Sequence, residues 1–96
     1  MGKYVYVYSG GSMAETPEEQ AEVMAAWGAW FGELGSAVVD GGNPFGENTV
    51  VGSGSATATG YSIVNADSLE DAATLAKGCP ILNSGGAVAV HEALEM

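Results

Sequence analysis

Three observations predict an α+β domain whose elements run β-α-β-β-α-β. Lys3–Ser9 alternates strictly, Thr16 and Ser68 each open a helical run, and Gly86–Leu94 alternates again. The first run places Tyr4, Tyr6 and Tyr8 on one sheet face and Val5 and Val7 on the other, because successive strand residues point to opposite sides. Gly10-Gly11-Ser12 breaks it. Thr16-Pro17-Glu18-Glu19 then supplies an N-cap hydroxyl, a proline at the first helical position and a glutamate at N3. The helix this predicts runs to Leu34 with Gly35 as its stop, and Glu15, Glu18, Glu19 and Glu22 suit the positive end of its dipole. Val23, Trp27, Trp30 and Leu34 fall on one stripe, which Met24 and Phe31 widen.

Ser36–Asp40 reads as a short second strand, closed by the turn residues Gly41-Gly42-Asn43-Pro44-Phe45-Gly46, with Asn48–Gly52 expected to extend it. Gly52-Ser53-Gly54-Ser55 is a bend and Ala58–Ala66 the third strand. Ser68, with an acid three residues on at Asp71, caps a second helix carrying Leu69, Ala72, Ala73, Leu75 and Ala76, which Gly78 and Pro80 end. The last strand sets Val88, Val90 and Leu94 opposite Ala87, Ala89, His91 and Ala93. This order is the split βαβ pattern of ferredoxin-like domains, a four-stranded antiparallel sheet with two helices on one face. Val5, Val7, Val88 and Val90 are expected beneath the helices. Tyr4, Tyr6, Tyr8 and His91 are expected on the other face, against a second copy or around a small ligand.

At 96 residues the chain suits one domain over residues 1–96. Lys3 and Lys77 are the only cations against 12 acids, giving a net charge of −10 and disfavouring nucleic acid and anionic membranes as partners. No 18-residue apolar run predicts a membrane span and no secretory leader is read at the start, so a cytoplasmic protein is expected. One cysteine, Cys79, forms no internal disulfide, and no Cys/His cluster or spaced aspartate run predicts a metal site; no cofactor motif is present either. Gly52-Ser53-Gly54 lacks the spacing of a phosphate-binding loop. The acidic surplus reads as a solvated coat of the kind that suits a salty setting.

The chain resembles the YCII-related family, especially its DGPF-domain branch. The resemblance rests on Met1–Val5, the Met24–Leu34 segment with Trp27 and Trp30, Val39-Asp40-Gly41-Gly42, Gly60–Ala72, Lys77-Gly78-Cys79-Pro80 and the closing Val88–Met96. It implies a homodimeric α+β barrel in which two ferredoxin-like units press their sheets together, leaving a cleft in each half. Two family features are missing. Val51–Thr57 lacks the Asp-Gly-Pro-Phe segment, and the first helix has no histidine to form the His–Asp pair associated with proton transfer or dehalogenation.

His91 is the one side chain whose ordinary pKa lies near neutrality, which makes it the candidate acid/base. In a catalytic reading Tyr6 donates a hydrogen bond, Asp40 orients the imidazole, and Tyr8, Tyr4 and Tyr61 contact the ligand. In the competing reading His91 is an inert strand-edge or dimer-seam residue, Trp27 and Trp30 are core, and Cys79 is structural. Two functions follow: a ligand-binding or accessory protein of undetermined activity, or a cofactor-free lyase, isomerase or dehydrohalogenase acting on a small aromatic or lactone.

Overall fold

The computed structural model describes residues 2–11 and 15–94. Its elements are β1 (Gly2–Ser9), α1 (Pro17–Leu34), β2 (Val38–Asp40), β3 (Ala58–Ala66), α2 (Leu69–Ala76) and β4 (Ala87–Ala93), with 3₁₀ turns at Gly35–Ala37 and Pro80–Ser84. The strands form one antiparallel sheet in the order β2-β3-β1-β4, the ferredoxin-like arrangement. Of the predicted segments, Met1, Ser12 and the final Glu95-Met96 lie outside the described residues.

Both helix starts follow from their caps. Thr16 Oγ1 accepts from the Glu19 amide at 3.1 Å, and Ser68 Oγ accepts from the Asp71 amide at 3.1 Å. The Glu19 carboxylate closes the first cap by accepting from Glu15 N–H at 3.0 Å, one residue ahead of the usual reciprocal bond. At the far end of α1, Gly35 adopts φ 54° and returns its N–H to Phe31 O.

The two faces of the sheet are the reverse of the expectation for β1. Tyr4, Tyr6 and Tyr8 point towards the helices and are 5%, 0% and 5% exposed, while Val5 and Val7 lie half-buried on the open side. Val88 and Val90 do sit under the helices, because they stand directly across from Tyr8 and Tyr6. His91 is on the open face opposite Val5, as expected. The physical reason is volume together with hydrogen bonding. The residues that α2 buries against the sheet are the small Ala72 and Ala76, with Leu75 packed at the margin, and a phenol ring fills the space above them better than a valine does. Each central hydroxyl then finds a partner: Tyr6 donates to Ala72 O at 2.5 Å and Tyr8 to Ser62 Oγ at 2.7 Å. Trp30 stacks on Tyr6 at 6.0 Å, and Trp27 meets Tyr8 edge-on at 5.0 Å. The Trp30 indole N–H donates to Leu75 O at 3.1 Å, tying α1 to α2.

Four smaller expectations are corrected. Ser36 and Ala37 belong to a 3₁₀ turn rather than to β2, and Asn48–Gly52 forms no strand. The sheet edge is instead prolonged by the turn itself: Phe45 N–H donates to Thr59 O at 2.8 Å and Tyr61 N–H to Asn43 O at 3.3 Å. Val23 and Met24 are exposed, because the sheet-covering part of α1 is its second half, where Trp30 and Leu34 are buried. Leu94 lies just beyond β4 and is exposed.

Candidate functional site

β2 is three residues long, so the sheet narrows on that side and leaves a space between α1 and the turn that follows the strand. The result is a cleft of about 540 Å³ on the helix side of the sheet. Trp27 and Phe31 of α1 form one wall, Gly41–Pro44 the other, and Tyr8, Gly60 and Ser62 lie on the strands between them. Apolar and aromatic surface predominates, with a few placed polar groups, as in small-molecule sites generally.

The turn has the shape that the cleft needs. Asp40 Oδ1 accepts from Gly42 N–H at 2.8 Å, an Asx-type contact that folds the chain back over β3. Gly42 has φ 74°, and a Cβ there would collide with the Tyr61 carbonyl. No other residue fits that position without moving the turn.

A hydroxyl relay crosses the sheet side of the cleft. Tyr8 donates to Ser62 Oγ at 2.7 Å, and Ser62 donates to Gly41 O at 2.7 Å. Burial pushes the Tyr8 phenol up to about 12; Cys79 and Tyr6 push in the same direction, against the Ser62 hydrogen bond. Tyr6 is also pushed up to about 12, by burial and then by Cys79. Burial raises the Cys79 thiol as well. All three groups are therefore neutral hydrogen-bonding side chains at physiological pH, with neither phenolate nor thiolate available.

The residues singled out from the sequence are divided between the two sides. Tyr8 lines the cleft from the sheet; Tyr61 borders it at the edge, its side chain on the sheet face of its register partner Val7 and its ring stacked on Phe45 at 5.8 Å. Tyr6 is sealed beneath α2, and Tyr4, on the same face, is not part of the lining. His91 is exposed on the opposite side of the sheet. Asp40, Ile63, Val5 and His91 occupy one cross-strand row. Asp40 and His91 are therefore three strand spacings apart, roughly 14 Å, and do not pair within one chain. The sequence predicts the Gly41-Gly42 turn but not its place in the cleft wall, and Ser62 escaped sequence reasoning. The signal available for them was Asp40-Gly41-Gly42 after a short strand, together with Gly60 opposite Tyr8.

Among the described residues no cluster of three or more His, Cys, Asp or Glu could hold a metal ion, and no helix is long and apolar enough to cross a membrane.

Searches for a matching family or a matching curated protein found none. A solved structure does match over the whole chain. The fold is shared with a dehydrochlorinase. That enzyme, the 5-chloro-2-hydroxyhydroquinone dehydrochlorinase TftG from Burkholderia phenoliruptrix, was solved in complex with 2,5-dihydroxybenzoquinone. The alignment covers 100% of this chain and 96% of TftG, with a TM-score of 0.59 and 17% identity. At that identity the likeness is one of architecture, and activity has to be argued from the site.

Proposed function

We propose that the chain is a single YCII/DGPF-like domain, a cytoplasmic homodimer that binds a small planar aromatic molecule in the helix-side cleft and acts as a ligand-binding or accessory protein. One observation carries the reading: a cleft of about 540 Å³ with aromatic walls and a hydroxyl relay, whose lining among the described residues holds no carboxylate, imidazole or amine. Such a lining can enclose and orient an aromatic ring. It offers no group to take a proton at neutral pH. The hydroxylated ring in the TftG complex is a ligand of the size and shape the reading calls for.

The proposed partner is a second copy, meeting the first across the open sheet face. Val5, Val7 and Ile63 are half-buried there and flanked by Ala89 and Ala93. Three long strands give this face on the order of 400–500 Å² per copy, so a face-to-face pair reaches about 1,000 Å², near the lower bound of a stable interface. Sedimentation should report twice the 9.6 kDa chain mass, and Val7→Lys should shift it to the monomer. A monomeric parent protein ends this part of the proposal.

The ligand reading is tested by calorimetric titration with unsubstituted and chlorinated phenols. Saturable binding that Trp27→Leu weakens supports it; absence of binding, or binding indifferent to Trp27→Leu, refutes it. A second reading draws on the named activity of TftG: a cofactor-free dehydrohalogenase in which His91 moves the proton. In that case the chemistry belongs on the open face, on the side of the sheet opposite Tyr6. Chloride release from 5-chloro-2-hydroxyhydroquinone, abolished by His91→Ala, would establish it.

A further inference from the structure

Resting on the reading of the cleft as a ligand site, we infer that its floor selects ligands that donate a hydrogen bond, an aromatic O–H or N–H, over carbonyl, ether or carboxylate ligands that only accept one. The reasoning follows the protons. Gly41 O is a carbonyl and can only accept. Ser62 has one proton, and at 2.7 Å from that carbonyl it points there. Tyr8, at 2.7 Å from Ser62 Oγ, must then donate to serine. The opposite direction would set lone pairs of Ser62 and Gly41 against each other at hydrogen-bonding distance. The Tyr8 oxygen is left with lone pairs and no proton to offer.

Neighbouring polar groups are committed in the same sense. Thr59 Oγ1 donates to Tyr8 O at 3.2 Å, Gly42 N–H to Asp40 Oδ1 at 2.8 Å and Tyr61 N–H to Asn43 O at 3.3 Å. The remaining side-chain N–H groups of the lining belong to Trp27 and Asn43, on the two walls rather than on the relay. Neither of the chain's two lysines lines the cleft, so an anion would meet no counter-charge there, in a chain already at −10. Because the Tyr8 phenol stays protonated, the relay keeps its direction throughout the neutral range.

Indole and benzofuran test this directly, being nearly the same shape and differing in an N–H donor against a ring oxygen. Ligand-observed NMR and calorimetry should show indole binding the parent protein about fivefold tighter, the factor expected of one ordinary hydrogen bond. In Tyr8→Phe, which keeps the ring and removes the accepting oxygen, the ratio should fall towards one. Ser62→Ala frees the Tyr8 proton, so benzofuran should gain relative to indole. Equal affinities in the parent protein, or an unchanged ratio in Tyr8→Phe, overturn the donor preference while the cleft reading stands. Failure of both probes to bind removes the cleft reading and this inference together.

Discussion

Raising the pH should unfold the protein through its two buried phenols. Tyr6 and Tyr8, 0% and 5% exposed, each have a pKa pushed from 10.0 to about 12. Above pH 10 the unfolded chain releases these protons while the folded chain keeps them, so the unfolded state binds fewer protons and stability falls as pH rises. Below pH 10 neither phenol contributes a slope. A two-unit shift at about 1.4 kcal/mol per unit amounts to roughly 2–3 kcal/mol per tyrosine, about 5 kcal/mol for both by pH 12. A chain of this length has about 5–14 kcal/mol in total, so the loss is a large part of its stability. The Cys79 thiol, also raised by burial, adds a slope of the same sign that starts lower, and Cys79→Ala separates it. The assay is urea unfolding by circular dichroism at half-unit steps from pH 8 to beyond 11. In Cys79→Ala the midpoint should hold until about 10 and then fall steeply, with phenolate absorbance rising in step with unfolding, whereas the parent protein begins a shallower decline at lower pH. Tyr6→Phe should flatten the fall by about half. A midpoint that stays level past pH 11, or falls equally in the variant lacking both phenols, would refute the linkage.

Three other outcomes are expected. Trp30→Ala removes an indole that is 3% exposed, stacked on Tyr6 and bonded to Leu75 O, and should cost about 3–5 kcal/mol in chemical denaturation. Gly42→Ala forces a Cβ against the Tyr61 carbonyl at a positive φ; it should destabilise by a few kcal/mol and loosen phenol binding in calorimetry. Sodium chloride should raise the thermal midpoint by screening a net charge of −10, and a midpoint that is flat or falls with salt counts against self-repulsion as a significant term.

The sequence carried the order of elements and both helix starts, because these depend on local chemistry: alternation in Lys3–Ser9, a hydroxyl at Thr16 and at Ser68, a glycine at 35. It did not carry the sidedness of β1. Alternation separates the tyrosines from the valines without saying which set faces the helices, and a hydrophobicity argument prefers valine inside. What decides the matter is non-local: the small Ala72 and Ala76 on α2, the Ala72 carbonyl within reach of Tyr6, and the two indoles that come to rest on the rings. The cleft was illegible for a related reason. It exists because β2 stops after three residues and Gly42 folds back against Tyr61, a closure between segments about twenty residues apart. His91 drew notice through its residue type alone, and its row-mate Asp40 proves to be shaping a turn.

The aromatic chain of the core also gives the molecule an optical property. Tyr6 is 6.0 Å from Trp30, Tyr8 is 5.0 Å from Trp27, and the two indoles are 5.7 Å apart. Light absorbed by either phenol passes to an indole before the phenol can emit, so in the native state these two tyrosines are dark and their excitation emerges as tryptophan fluorescence. Denaturation separates donor from acceptor and restores phenol emission, which supplies a label-free signal specific to the contact between α1 and the sheet.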